Sequence, residues 1–144
     1  MVSQDKLHII AVTAFIERDG KYLILKRSED EIVKPGMWTL PGGKVERGES
    51  LTASIEREVK EETGLEVEGN IEYVGNSEFT RPDDYHVIIV RFKAKVKAGE
   101  VKVPKEDFTD YAWISLDELD KYELIGGVKK DFEELKQGVK CLNQ

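Results

Sequence analysis

The chain opens on two apolar, strand-like runs separated by a short polar stretch. His8 to Glu17 and Tyr22 to Lys26 are rich in Ile, Val, Phe, Tyr and Leu. Between them Arg18-Asp19-Gly20-Lys21 has turn chemistry, so the pair reads as a β-hairpin. Ser28 to Gly36 is charged and ends in Pro35-Gly36, which predicts a surface loop before the short segment Met37 to Leu40. Pro41-Gly42-Gly43 breaks the chain again. Ser50 to Thr63 has neither Pro nor Gly, begins with a capping serine and stops at Gly64, the signature of a helix of about four turns. Strand patterns return over Leu65 to Phe79, with an interruption at Gly69-Asn70, then over His86 to Val96 and Tyr111 to Ile114. Ser115 with Glu118 has the spacing of a capping box. From Gly127 to Gln137, Val128, Phe132 and Leu135 form one apolar stripe on an otherwise charged helix. Strands with one helix in the middle and another at the end predict a layered α/β or α+β domain.

Length and composition narrow this picture. The 144 residues suit a single domain spanning 1–144, and 40% apolar residues suffice to build a core. With 22 basic against 29 acidic residues the formal charge is −7, which argues against a nucleic acid polymer or an anionic membrane as partner. An anionic ligand would have to meet a local basic spot or a metal ion. The apolar run Ile9 to Ile16 is far shorter than the roughly 20 residues of a membrane span. The start of the chain lacks a signal-peptide pattern, and the lone Cys141 has no partner for an intrachain disulfide. A cytoplasmic location is the expectation.

The middle helix is unusual in where its acids fall. At about 100° per residue Leu51, Ile55 and Val59 form an apolar sector, and Glu58 and Glu62 lie within roughly 60° of its centre. Glu58 is three and four residues from Glu61 and Glu62, so the three side chains can converge. Two readings compete, a solvated acidic face and a metal site, because crowded carboxylates losing water need protons or a cation. Carboxylate oxygens without nearby His or Cys suit Mg²⁺, with Mn²⁺ as a substitute. Gly42-Gly43-Lys44 just before the helix permits close backbone approach to a metal or phosphate, although a Gly-Gly pair is also an ordinary turn.

Taken together, Gly43, five residues, Glu49, seven residues, Arg57-Glu58-Val59, one residue, Glu61-Glu62, one residue, and Gly64-Leu65 match the Nudix box of the Nudix hydrolase family without a departure. Tyr22 to Arg27, Trp38 to Gly43 and Trp113 to Leu119 also look like that family, so the resemblance extends over most of the chain. It implies a Nudix fold, an α/β/α sandwich with a mixed β-sheet. It also implies MutT-like, metal-dependent hydrolysis of a pyrophosphate bond in a nucleoside diphosphate linked to another moiety. The candidates are (d)NTPs, including oxidised forms, NDP-sugars and ADP-ribose. By position in the box, Glu58 and Glu62 would be principal metal ligands, Glu61 a further or water-mediated one, and the backbone at Gly42 or Gly43 another contact. Arg57 and Glu49 would form an orienting ion pair, and Glu58 would serve as ligand or base.

Outside the box, Asp107 is the candidate for an additional acid, with Glu106 and Asp110 as alternates. Arg27, helped by Lys44, could meet substrate phosphate. Trp38, Phe79 and Tyr85 could stack on a base or belong to the core, and His8 and His86 read as structural. Pro82 is one residue from the position at which relatives acting on ADP-ribose tend to have Pro, a weak signal, and Tyr85 fits less well the position at which relatives acting on diadenosine polyphosphates tend to have Tyr. A binding or regulatory module of the same fold is the alternative. Retention of Glu49, Glu58, Glu61 and Glu62 favours an enzyme. Dimers are frequent among such relatives, so a homodimer is compatible with the resemblance.

Overall fold

A computed structural model describes residues 3–30 and 34–142. The chain runs β1 (Ile9–Arg18), β2 (Lys21–Arg27), β3 (Trp38–Thr39), β4 (Gly42–Lys44), α1 (Leu51–Thr63), β5 (Val67–Thr80), β6 (His86–Val96), β7 (Phe108–Ile114) and α2 (Val128–Leu142). Short 3-10 turns cover Gln4–Lys6 and Leu116–Lys121. Among the described residues no helix is long and apolar enough to cross a membrane.

β1 organises the mixed sheet because both of its edges are used. On one edge it pairs in parallel with β6, from Ile9 opposite Val87 to Glu17 opposite Lys95. The other edge is divided. Glu17 and Arg18 form the hairpin with β2, while Ala11, Val12 and Thr13 pair with Lys44, Gly43 and Gly42 of β4. Pro41 bridges the interval, its carbonyl accepting from Ala14 N–H at 2.9 Å. β5 extends the sheet beyond β6, and β3 and β7 pair with β2. The sheet therefore opens beside β1 where the chain enters α1.

The period-two pattern sends alternate residues to two cores. Val12, Ala14 and Ile16 of β1 and Leu23 and Leu25 of β2 pack against Ile55 and Val59 of α1. Phe15, Tyr22 and Ile24 point the other way, toward Val128, Phe132 and Leu135 of α2. Phe132 has no exposed surface and meets Phe15 and Tyr22 edge-on, with ring centroids 5.1 and 6.0 Å away. Helices on both faces of a mixed sheet make the expected α/β/α sandwich.

The helix boundaries follow from capping. Ser50 Oγ accepts from Ala53 N–H at 3.1 Å, and Gly64 N–H donates to Lys60 O at 3.0 Å. The Ser115–Glu118 capping box forms. Three departures from the sequence reading have local causes. Gly69-Asn70 does not end a strand, because irregular register between Glu68 and Glu72 absorbs those residues within β5. The Gly42-Gly43 break is itself a strand. A Cβ at Gly42 would overlap the Val12 carbonyl oxygen, so only glycine lets β4 lie this close to β1. β7 starts at Phe108, earlier than its apolar pattern suggests, since pairing with β2 recruits Thr109 and Asp110. Residues 31–33 of the predicted loop and the side chain of Cys141 lie outside the described residues.

α2 is also tied down by an arginine that its apolar stripe does not reveal. Arg91 on β6 is 3% exposed and reaches Glu134 at 2.8 Å, Ser77 Oγ at 2.9 Å and Asp131 at 3.5 Å. Burial raises the Asp131 carboxyl above its usual range, against the pull of Arg91. Phe132→Ala should lower unfolding free energy by about 3–5 kcal/mol, read from urea denaturation midpoints. An unchanged midpoint would show that Phe132 does not anchor α2.

Candidate functional site

α1 carries Glu58 and Glu62 on the side facing β4, as the angular arithmetic requires. The Glu58 side chain is only 12% exposed and lies against Gly43, where any Cβ would collide with its carboxylate. Glu62 Oε1 accepts the Gly42 N–H at 2.7 Å. The two glycines thus do different jobs. Gly42 supplies a backbone donor to one carboxylate, and Gly43 leaves room for the other.

Arg57 gathers the remaining acids. Its Nε donates to Glu49 Oε2 at 2.6 Å and its Nη2 to Glu49 Oε1 at 3.0 Å, a two-pronged contact. Nη1 donates to Glu58 Oε1 at 2.9 Å and Glu61 Oε2 at 3.2 Å, while Nη2 also reaches the Lys44 carbonyl at 3.1 Å. One guanidinium therefore ties together the loop, the second half of the helix and β4. Glu49 also accepts from Glu46 N–H at 3.0 Å, which folds the loop before α1. Glu46 stands 3.7 Å from Arg57 as well, a partner that the spacing of the box does not identify.

The expected convergence of Glu58, Glu61 and Glu62 on one point is not what the chain adopts. Glu61 is 57% exposed and shares Arg57 with Glu58. Among the described residues no three His, Cys, Asp or Glu side chains stand in a ready-made ligating arrangement. Glu58 and Glu61 share Arg57 Nη1, whereas Glu62 turns to the Gly42 amide.

The acids titrate differently as a result. The hydrogen bond from Arg57, with that from Glu46 N–H, holds the Glu49 carboxyl down at about 2. The bond to Glu49, above all, keeps Arg57 protonated. Burial raises Glu58 above the usual carboxylate range despite Arg57, helped by the charges of Glu61 and Glu49. Glu62 is pushed up to about 8, first by burial and then by Glu58, Asp107 and Glu61, against the Gly42 hydrogen bond. Glu62 and Glu58 are the groups that a cation would relieve.

Among the outside candidates, Asp107 is exposed yet close enough for its charge to bear on Glu62. Asp107 O also accepts from Ser28 N–H at 2.9 Å, joining the start of β7 to the end of β2. Asp110 is occupied with Tyr111 N–H at 2.8 Å, and Glu106 is exposed. Arg27 ends β2, half-buried, with its backbone bonded to Met37 and Gly36. Lys44 is exposed on β4.

Trp38 is structural. Its backbone bonds to Glu123 and Ile125, and its ring meets Tyr122 at 5.1 Å. Phe79 and Tyr85 are 44% and 55% exposed and so are not core. Tyr85 and Pro82 lie in or beside the β5–β6 turn, where Arg81 covers the Tyr85 ring.

A mixed sheet between two helices, with a loop and helix presenting an arginine-bound acid set to a glycine strand, defines a class of phosphoanhydride hydrolases. The chain belongs to the NUDIX family, whose domain model matches residues 7–135, and it is a Nudix hydrolase. It is 32% identical over 135 residues to the nucleoside triphosphatase NudI of Escherichia coli O17:K52:H18 (strain UMN026 / ExPEC), covering 83% of this chain and 90% of that protein. The crystal structure of a MutT protein from Methanosarcina mazei Go1 is 33% identical, covers 96% of this chain and 99% of its own, and superposes with a TM-score of 0.79. That of a MutT NUDIX hydrolase from Burkholderia pseudomallei is 26% identical, with coverages of 90% and 98% and a TM-score of 0.77.

Burial of Glu62 makes stability depend on pH in a definite direction. A carboxyl at about 8 in the folded state and about 4.5 when unfolded holds its proton more tightly when folded. Its contribution is therefore complete below about pH 4.5 and is lost as pH rises through about 8. In chelator, melting temperature should fall between pH 5 and 8, the loss being on the order of a few kcal/mol. Glu62→Gln, which keeps an acceptor for Gly42 N–H, should flatten that slope and raise the melting point at pH 8. Parallel slopes for parent and variant would show that Glu62 is not the buried acid responsible.

Proposed function

We propose that this protein hydrolyses a phosphoanhydride bond in a nucleoside triphosphate, using Mg²⁺ or Mn²⁺ held by the carboxylates of α1. The observation that carries this reading is the pair Glu58 and Glu62, desolvated against a strand whose two glycines leave room for nothing larger. The donor set fits a hard divalent ion. It is all oxygen, both inner carboxyls are raised by burial, and Glu62 accepts its hydrogen bond from a neutral backbone amide.

Glu58 and Glu62 would be the principal ligands, with Glu61, the Gly43 backbone and Asp107 completing the set. Bound there, the ion supplies charge neutralisation for the phosphates and acidifies water. The chain does the rest. Arg57, fixed by Glu49 and Glu46, holds Glu58 so that one oxygen stays committed to the guanidinium. Glu58 would serve either as ligand or as the base that takes the proton from the attacking water. Lys44, with Gly42 on the same strand β4, and Arg27 at the end of β2 would offset phosphate charge in an otherwise anionic protein.

A triphosphate is preferred over the other nucleoside diphosphate derivatives because the similar E. coli protein is named a nucleoside triphosphatase. Neither Pro82 nor Tyr85 argues otherwise, since both belong to the β5–β6 turn. The acidic balance and single cysteine accord with a cytoplasmic nucleotide pool as the source of substrate.

The test is a panel of NTPs, dNTPs, NDP-sugars, ADP-ribose and dinucleoside polyphosphates assayed with Mg²⁺, Mn²⁺ or chelator. Turnover should require the ion and be greatest with a triphosphate. Glu58→Gln and Glu62→Gln should each lower it by about 10²-fold or more without loss of folded structure by circular dichroism. Parental rates for Glu62→Gln on every hydrolysed substrate would refute the ligand role. Tight nucleotide binding without turnover would refute the enzymatic one.

A further inference from the structure

The protein has only two histidines, and the fold puts them side by side. β1 and β6 run parallel with Ile9 opposite Val87, so His8 and His86 are the next neighbours along that ladder. Their ring centroids are 5.8 Å apart and the planes are tilted by 49°. His8 is exposed, and the His86 side chain is 40% exposed.

We propose that His8 and His86 form a second metal site, for a borderline divalent transition ion such as Zn²⁺ or Ni²⁺. Two imidazoles sharing a tetrahedral ion, with nitrogens about 2.0–2.1 Å from it, hold their ring centroids roughly 5 Å apart. The observed spacing closes to that value with less than about 1 Å of movement, within reach of exposed side chains changing χ angles.

One of the rings is already oriented for ligation. His86 Nδ1 stands 3.0 Å from Thr80 Oγ1 and 3.4 Å from Glu78 Oε1. Engaging Nδ1 in this way fixes the ring and leaves Nε2 to ligate. A carboxylate or hydroxyl behind the imidazole is the kind of partner that holds metal-bound histidines in place.

The surroundings favour a cation. His86 borders a cavity of about 450 Å³ whose wall also carries Asp5, Asp83, Asp84 and Tyr85. Asp83 is taken by Arg81, so Asp5 and Asp84 supply the field while water completes the coordination shell. The ligand type separates this site from the glutamates of α1. Imidazole nitrogens select borderline ions, whereas Mg²⁺ prefers oxygen. The inference does not depend on the proposed hydrolytic reaction. Its consequence is structural, since one ion would join the starts of β1 and β6 and, through Glu78, the end of β5.

The experiment uses the full chain without a polyhistidine tag, in excess Mg²⁺ to suppress Zn²⁺ binding to carboxylates. Zn²⁺ is titrated by calorimetry while the imidazole nitrogens are followed by NMR, where two histidines give an uncrowded spectrum. One Zn²⁺ per chain should bind and shift the ring nitrogens of both residues. His8→Gln and His86→Gln should each weaken binding by about 100-fold, and Glu78→Gln by about 10-fold. Both rings are on the surface, so the variants should keep the parental circular dichroism spectrum. Zn²⁺ binding that shifts neither ring, or parental affinity in both histidine variants, would overturn the assignment.

Discussion

Two carboxylates on the inward side of a helix impose the constraint around which this site is built. Glu58 and Glu62 occupy positions that a soluble helix would ordinarily give to apolar residues, and the two residues they meet on β4, Gly42 and Gly43, have no side chains to offer. Gly42 lies against β1 and turns its amide toward Glu62, while Gly43 yields its side-chain volume to Glu58. Burial then raises both carboxyls, and Glu62 reaches about 8. In the family this chain belongs to, such a cost is met by chemistry, because a group that resists being an anion in isolation is primed to receive a cation or a proton.

Arg57 makes that arrangement tolerable. Glu49 is held at about 2 by its contact with the guanidinium, so the ion pair is formed throughout the neutral range and acts as a fixed strut. The same guanidinium touches Glu58, Glu61 and the Lys44 carbonyl, linking loop, helix and strand. Removing it would leave several anions facing one another, not merely delete one surface pair. Its partial burial, with 22% of the side chain exposed, places it between a screened surface contact and a dry one.

β1 explains why the site sits where it does. By sharing one edge between β2 and β4, it brings the glycine strand and α1 to the middle of the sheet and not to its margin. Its parallel pairing with β6, on the opposite edge, has a second effect at the start of the ladder, where the two histidines become neighbours. A hard oxygen set and an imidazole pair can therefore coexist in one small domain because β1 contributes to both neighbourhoods through different residues.

Much of this was written in local sequence. The apolar runs of β1 and β2, the caps at Ser50 and Gly64, and the stripe of Val128, Phe132 and Leu135 depend on neighbours a few residues apart, and they specify strands, helix ends and buried faces without knowledge of the fold. The inward placement of Glu58 and Glu62 is likewise helical geometry, and the box spacing named the family. Tertiary structure alone decided which distant residues meet. The Gly42-Gly43 strand has no side-chain pattern to read, since its identity comes from pairing with β1. Glu46 joins Arg57 through loop closure, Asp107 bears on Glu62 from the turn before β7, and Arg91 ties α2 through acids that look like ordinary surface charge. The exposed, outward position of Glu61 was equally hidden, because the reach of one arginine depends on distances that periodicity does not encode.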